Sequence, residues 1–321
     1  MPRNLLVVLP VLTLSLREDI QAMADQKGFA VRFCENDQQA APYLRDAEVI
    51  LGQSACLSQN APNLRWICSP SAGVNQFLPE NAFLNPSALL TNSSGAYGVT
   101  IAEHIVMVTL EMMRRQMEYD VIVKNREWVR DLKVRSIHGS RTTLIGTGNI
   151  GQEAARRLRG FQPEAIVGMN RSGKNPEGLF DRVILEKELD SVLPCTDLLV
   201  LSLPATKETQ GIMDERRLSL LPRNAYVVNV GRGSALDERA LEKMLREGRL
   251  AGAALDVFWQ EPLPPNSTLW DCPRLLITPH IAGNMTLDYT VDRIIRQFLE
   301  DFENYCANRP LGHLVDRTVG Y

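Results

Sequence analysis

The stretch Thr143-Leu-Ile-Gly-Thr-Gly-Asn-Ile-Gly151 restricts the fold more than any other part of the chain. Its apolar start reads as the end of a buried strand. Gly146, Gly148 and Gly151 then give G-x-G-x-x-G, opening into a helical pattern over residues 152–159. The first glycine permits a sharp turn, the second lets backbone N–H groups approach a pyrophosphate, and the third lets helix pack on strand. An anion then sits at the positive end of the helix. A glycine turn alone is a weak signal. Here a second apolar strand, residues 165–169, follows at the distance a βαβ unit needs, so the stretch predicts a dinucleotide-binding α/β domain.

At 321 residues the chain exceeds one ordinary core and suits two domains. A net charge of -3 without a long basic run gives no reason to expect a nucleic-acid or membrane partner. Cys34, Cys56, Cys68, Cys195, Cys272 and Cys306 are scattered, with no C-x-x-C pair and no histidine cluster. No metal is expected, and reduced thiols in a cytoplasm are the natural reading. Arg3 followed by the apolar residues 5–16 imitates a secretory leader, but Pro10 interrupts the run and Arg17, Glu18 and Asp19 follow it. A buried strand ending at Pro10, then a turn and a helix, explains the same residues. No apolar stretch is long enough to span a membrane.

Along the first hundred residues, short apolar runs at 5–9, 30–33, 49–51, 64–68 and 89–91 alternate with helical patterns at 18–26 and 38–45. Such alternation means a parallel, helix-flanked sheet that binds ligands at the carboxyl ends of its strands. Two loops at such ends are Gly52-Gln53-Ser54 and Ser69-Pro-Ser-Ala-Gly-Val-Asn75. The second offers successive N–H groups to an anion, or is simply a turn with a helix cap at Asn75. Residues 101–115 form a long helix bridging into the second domain, with His104 as a packing or interface residue, and residues 126–140 are irregular. Further strands at 198–203, 226–230, 251–256 and 275–278 make a six-stranded doubly wound sheet, with helices at 214–221 and 238–247. A final helix, 288–308, returns the chain to the first domain, whose sheet it can cover.

Arg232, Glu261 and His280 all follow late strands, so fold logic brings them to the crevice where a reactive cofactor end lies. Hydride transfer to a 2-oxo acid needs a cation for the carboxylate, an acid for the new alkoxide, and a group that keeps that acid charged. A guanidinium does the first by bidentate pairing, an imidazolium the second, and a carboxylate beside the imidazole the third. Each residue alone has an ordinary structural explanation; the conjunction is harder to dismiss.

Asn229-Val-Gly-Arg-Gly233, Leu255-Asp-Val-Phe258, Glu261-Pro262 and Thr278-Pro-His-Ile-Ala-Gly283 closely resemble the D-isomer-specific 2-hydroxyacid dehydrogenases. The similarity covers nearly the whole chain, including Leu203-Pro-Ala-Thr206 with Thr209 and the 71–75 loop. The resemblance implies α/β architecture with two doubly wound parallel-sheet domains. One is a Rossmann dinucleotide domain, residues 98–285; the other is a smaller, discontinuous, flavodoxin-like substrate domain, residues 1–97 and 286–321. It implies a homodimer acting on a small 2-oxo or 2-hydroxy acid. Arg232 would clamp the carboxylate, His280 act as acid–base and Glu261 pair with it, while Gly52 and the amides of Ala72, Gly73 and Val74 complete substrate binding. Cofactor contacts would come from Gly146, Gly148, Asn149, Ile150 and Gly151, from Leu203, Pro204 and Thr209, from Val230 and Gly231, and from Asp256, His280 and Gly283. Asp256 would meet the nicotinamide amide. The segment 258–270, with Trp259 and Pro264-Pro265, looks most like the glyoxylate and hydroxypyruvate reductase branch. Transcriptional corepressors that resemble this family are the non-catalytic alternative, working as nucleotide-sensing scaffolds.

In NAD-specific sites an acidic residue about 20 positions beyond the glycines takes the ribose 2′-OH and repels a 2′-phosphate. Here the second strand ends in Asn170-Arg171-Ser172-Gly173-Lys174, without a carboxylate. Arg171 and Lys174 supply charge and Ser172 a hydroxyl. NADP(H) is therefore the expected cofactor, with NAD(H) a second one.

Overall fold

The computed structural model describes residues 3–318. The chain divides into two compact units, one formed by the residues up to Tyr97 together with those from Met285 onward, the other by Gly98–Asn284. Met285, grouped above with the central domain, falls in the outer unit, where it lines a surface depression with Gln53 and Ser54.

The outer unit runs β1 (Arg3–Val8), α1 (Leu14–Gln26), β2 (Phe29–Cys34), α2 (Asp37–Ala40), β3 (Val49–Gly52), α3 (Ala55–Gln59), β4 (Trp66–Cys68) and β5 (Leu89–Thr91). Its sheet has the order β2-β1-β3-β4-β5, all parallel. β1 is central, with Leu5 paired to both Val31 and Val49, so Leu5–Val8 are buried on both faces. That explains the leader-like run: its first part is a core strand, and after Pro10 Thr13 caps α1 by accepting from the Leu16 N–H. The helix expected at 38–45 is instead α2 followed by a 3₁₀ turn, Ala41–Asp46, because Pro42 lacks the N–H that would continue the α-helical ladder.

The last helix, α10 (Asp288–Cys306), belongs to this unit. It covers one sheet face with an aromatic cluster: Trp66 stacks on Phe298 at 5.4 Å between ring centroids, and Phe302 meets Phe29 edge-on at 4.9 Å.

The central unit runs α4 (Gly98–Met113), α5 (Gln116–Lys124), β6 (Arg141–Ile145), α6 (Asn149–Arg159), β7 (Ala165–Met169), β8 (Arg182–Ile184), α7 (Leu189–Val192), β9 (Leu198–Leu201), α8 (Glu215–Leu220), β10 (Tyr226–Asn229), α9 (Glu238–Arg246), β11 (Gly252–Leu255) and β12 (Leu275–Ile277); α10 (Asp288–Cys306) then follows in the outer unit. The sheet has seven parallel strands in the order β12-β11-β10-β9-β6-β7-β8, one more than the sequence reading gave. The extra strand is the edge strand β8, whose three residues carry no periodicity long enough to read.

The apolar faces of these elements meet in one core that includes Ile145, Leu199, Val227, Leu241, Met244 and Leu255. On α9, Ala240, Leu241, Met244 and Leu245 form the buried stripe, and Asp237 caps the helix through the Ala240 N–H. From β6 the chain goes outward to β7 and β8, then returns to β9 on the other side of β6. The strand order therefore reverses between β6 and β9, which is where open α/β sheets take ligands.

Candidate active site

The glycine turn lies at that reversal. Gly146 follows β6 with φ of 106°, in the left-handed region, and a Cβ there would lie 2.8 Å from Ser202 Oγ just beyond β9. A Cβ at Gly151 would lie 2.1 Å from the Gly146 carbonyl oxygen, so the first turn of α6 packs directly on the strand end. Gly148 is the N-cap of α6; no side chain caps the helix, and a Cβ at Gly148 would meet nothing within 4 Å. The N–H groups at Asn149, Ile150 and Gly151 thus head an uncapped helix beside open space. A pyrophosphate fits this cradle, which supplies both donors and the positive helix end.

The loop after β7 is built around Asn170. Its Oδ1 accepts from the Ser172 and Gly173 N–H groups at 3.0 and 2.7 Å, and its Nδ2 donates to Thr147 Oγ1 and to the Lys174 carbonyl at 2.6 and 2.9 Å. Asn170, expected to touch the cofactor, ties this loop to the glycine turn. Ser172 Oγ donates to Asn170 Oδ1 and accepts from the Lys174 N–H. Arg171 and Lys174 are exposed. Glu208 was not foreseen here: its carboxyl is held below the usual carboxylate range, first by a hydrogen bond from Thr206, with the charges of Arg171 and Lys207 adding to it.

Beyond β9, Thr209 closes the Leu203–Thr209 segment, its hydroxyl donating to the Pro204 carbonyl at 2.6 Å and accepting from the Thr206 N–H at 2.9 Å. Beyond β10, Asn229 is fully buried and staples the next turn: its Oδ1 accepts from Gly231 N–H and its Nδ2 donates to the Arg232 carbonyl. A Cβ at Gly233 would fall 1.9 Å from the Phe258 carbonyl carbon. Only glycine lets the turn that carries Arg232 lie against the loop that carries Glu261.

Those residues form the chemical centre. His280 Nδ1–H donates to Glu261 Oε2 at 2.6 Å, and Glu261 is oriented by accepting the Phe258 N–H on Oε1 at 2.9 Å. The His280 ring is about half exposed, its side chain having 49% of its area accessible, so Nε2 is the nitrogen free to face a reactant. Arg232 donates from Nη1 to the Gly231 carbonyl at 2.7 Å. Burial pushes the pKa of its guanidinium below the usual value, while the charge of Glu261 pulls the other way. A desolvated cation, a carboxylate and an imidazole therefore share one location in the central unit, and a planar carboxylate with an adjacent carbonyl suits the first and third.

Asp256 holds His280 in place. It is 2% exposed, and its carboxylate accepts from Thr278 Oγ1 at 2.6 Å, from Ile281 N–H at 2.9 Å and from Ala282 N–H at 3.0 Å. The His280 N–H donates to the carbonyls of Asp256 and Thr278. His280 has φ of 55°, a left-handed conformation that costs a non-glycine residue about 1–3 kcal/mol. Bonds to a carboxylate contribute ~1.5–3 kcal/mol each, so the two amide contacts to Asp256 suffice to keep the turn. The expected contact with a nicotinamide amide would have to share a carboxylate that is already engaged.

Glu238 is a second residue that the sequence reading passed over. It accepts the Trp259 N–H at 2.6 Å and steadies the loop leading to Glu261. Burial, with help from Glu261 and Asp237, raises its pKa against the opposing Trp259 bond.

In the outer unit, Gly52 ends β3. The 69–75 loop is pinned by Asn92 Nδ2 donating to the Ala72 carbonyl, by Ser93 Oγ donating to the Ser69 carbonyl, and by the Tyr97 hydroxyl donating to the Pro70 carbonyl. Among the described residues no group accepts the N–H of Ala72, Gly73 or Val74. Asn75 is not a helix cap; it begins a three-residue 3₁₀ turn whose preceding residue, Val74, is buried and makes no side-chain cap.

Residues 106–282 match the sequence profile of the D-isomer specific 2-hydroxyacid dehydrogenase NAD-binding domain. Over 319 residues the chain is 31% identical to glyoxylate/hydroxypyruvate reductase B of Erwinia tasmaniensis, covering 93% of this chain and 98% of that one. Its fold is similar to that of a D-isomer specific 2-hydroxyacid dehydrogenase family protein from Aeromonas salmonicida, with a TM-score of 0.88 and 30% identity over 99% of this chain and 100% of that one. It is also similar to an NADPH-dependent glyoxylate/hydroxypyruvate reductase from Sinorhizobium meliloti solved with NADP and sulfate, with a TM-score of 0.82 and 28% identity over the same shares of the two chains. With the glycine turn at the strand reversal and the Arg232–Glu261–His280 centre beside it, the chain belongs to the D-isomer-specific 2-hydroxyacid dehydrogenase family of NAD(P)-dependent oxidoreductases.

Proposed function

We propose that the protein is an NADPH-preferring reductase of small 2-oxo acids, with glyoxylate and hydroxypyruvate as its substrate class, giving achiral glycolate from the first and the D-2-hydroxy acid from the second. The observation that carries this reading is the 2.6 Å His280–Glu261 pair within electrostatic reach of the partly buried Arg232. Arg232 takes the substrate carboxylate in its fork, which also orients the adjacent carbonyl. Glu261 holds Nδ1–H and keeps the ring turned so that the Nε2 proton faces the carbonyl oxygen. When bound, a dihydronicotinamide would supply the hydride that the carbonyl carbon accepts. As the alkoxide forms, His280 gives it the Nε2 proton, and the resulting neutral ring stays bonded to Glu261. The relatives named above support the choice of substrate.

For the cofactor, Arg171 and Lys174 on an exposed loop without a carboxylate of its own favour a 2′-phosphate over a free 2′-hydroxyl. With glyoxylate, kcat/KM for NADPH should exceed that for NADH by about tenfold or more, a difference of about 1.4 kcal/mol. Arg171→Ala should remove most of this preference by raising the KM for NADPH while leaving the NADH reaction close to wild type. Equal efficiency with the two cofactors in the unmodified protein would overturn the assignment of this loop. Absence of turnover across 2-oxo acids, with tight NADPH binding intact, would favour a nucleotide-sensing scaffold instead.

A homodimer fits the uncovered apolar surface of the central unit. α5 has no buried residue, and Val121, Val123 and Trp128 are 57%, 69% and 89% exposed.

A further inference from the structure

His104 stands in the middle of α4, away from the residues that face a reactant. Its Nε2 lies 3.3 Å from Thr278 Oγ1, which in turn lies 2.6 Å from Asp256 Oδ1. The direction of this chain follows from the donor inventory. An ionised carboxylate only accepts, so the single hydroxyl hydrogen of Thr278 goes to Asp256, and the threonine oxygen can then only accept from the ring. His104 therefore carries its proton on Nε2. Burial, the largest influence, pushes its pKa below the ordinary histidine value, with the charges of Asp256 and Glu111 acting the other way. A neutral ring has one N–H, and this contact uses it.

The chain ends at the turn that holds His280. Asp256 grips the two amides after His280, and the Thr278 carbonyl accepts from His280 itself. Thr278 thus sits at a junction, with its hydroxyl set by α4 and its carbonyl fixing the left-handed residue. We infer that His104 is a positioning residue for His280, acting through Thr278 and Asp256 to lock the turn in which the imidazole faces Glu261. The inference rests on the reading of His280 as the proton donor. A histidine that merely fills space on α4 would make no such directional contact, and any apolar residue of similar volume would serve in its place.

The test compares His104→Leu, His104→Gln, Thr278→Val and the His104→Leu/Thr278→Val double variant, using NADPH and glyoxylate. His104→Leu is expected to lower kcat about tenfold, the scale of a small misplacement of a reacting group, with the KM for NADPH unchanged. Glutamine can donate from its amide and should recover most of that loss. Because both single changes break the same chain, the double variant should be no slower than the worse single one. A second readout needs no turnover. In protein labelled with ¹⁵N in its four histidines, the His280 ring resonances should shift in His104→Leu and return toward wild type in His104→Gln.

Wild-type kcat in His104→Leu, a glutamine variant no better than the leucine one, or multiplying losses in the double variant would each overturn the inference. His280→Gln separates the two levels. If that variant is inactive while His104→Leu is normal, only the positioning role falls. If it keeps ordinary turnover, the acid–base reading falls and the positioning role with it.

Discussion

His280→Gln is expected to lower kcat by roughly 10²-fold or more, the usual contribution of a positioned acid, while the Kd for NADPH stays within about twofold of wild type. Glutamine preserves a donor toward Glu261 and a similar volume, but it has no proton to release near neutral pH. The dinucleotide cradle around Gly146, Gly148 and α6 does not depend on the ring, because it is built from β6, Ser202 and the helix end. Steady-state oxidation of NADPH and a fluorescence titration separate the two effects. A variant with ordinary kcat would remove His280 from the chemistry.

Arg232→Ala should be equally damaging but in a different pattern, with KM for the 2-oxo acid raised and kcat lowered together. A loss of about 10³-fold in kcat/KM corresponds to about 4 kcal/mol, appropriate for a desolvated, bidentate carboxylate contact that strengthens as negative charge develops on the substrate. The local structure explains why lysine should rescue only part of this. The partly buried Arg232 side chain lies beside the Gly231 carbonyl and under the influence of Glu261, and an ammonium there brings a point charge without the planar fork. Measuring kcat and KM separately for Arg232→Ala and Arg232→Lys checks both claims. Full recovery by lysine would mean that charge alone matters at this position.

Much of this organisation was legible in the residues because the signals are local. The glycine turn has a strand before it and a helix after it, and central parallel strands such as β1 and β10 are apolar on both faces, so they stand out as unbroken runs. The three ionisable residues of the centre were legible for another reason: each lies in the connection after a late strand, and parallel sheets deliver such connections to one edge. What stayed hidden depended on contacts between distant segments. β8 is a short edge strand defined by its pairing to β7, and α2 ends where Pro42 breaks a pattern that otherwise reads as one helix. The cofactor contact of Asp256 is implied only by the family resemblance, whereas its bonds to Thr278, Ile281 and Ala282 reach 22 to 26 residues further on. Glu238 reaches the Trp259 N–H and His104 the Thr278 hydroxyl from helices whose amphipathic patterns account for them without any functional role.

Delivery of a hydride from the nicotinamide and a proton from His280 to the two ends of a 2-oxo acid's carbonyl is the chemistry proposed for this centre. It is tested most directly by incubating the protein with hydroxypyruvate and NADPH deuterated at the transferring position of the nicotinamide, then analysing the product by chiral chromatography and mass spectrometry. The expected product is D-glycerate with one deuterium at C2. Recovery of unchanged hydroxypyruvate, of glycerate without deuterium, or of the L-isomer would contradict it.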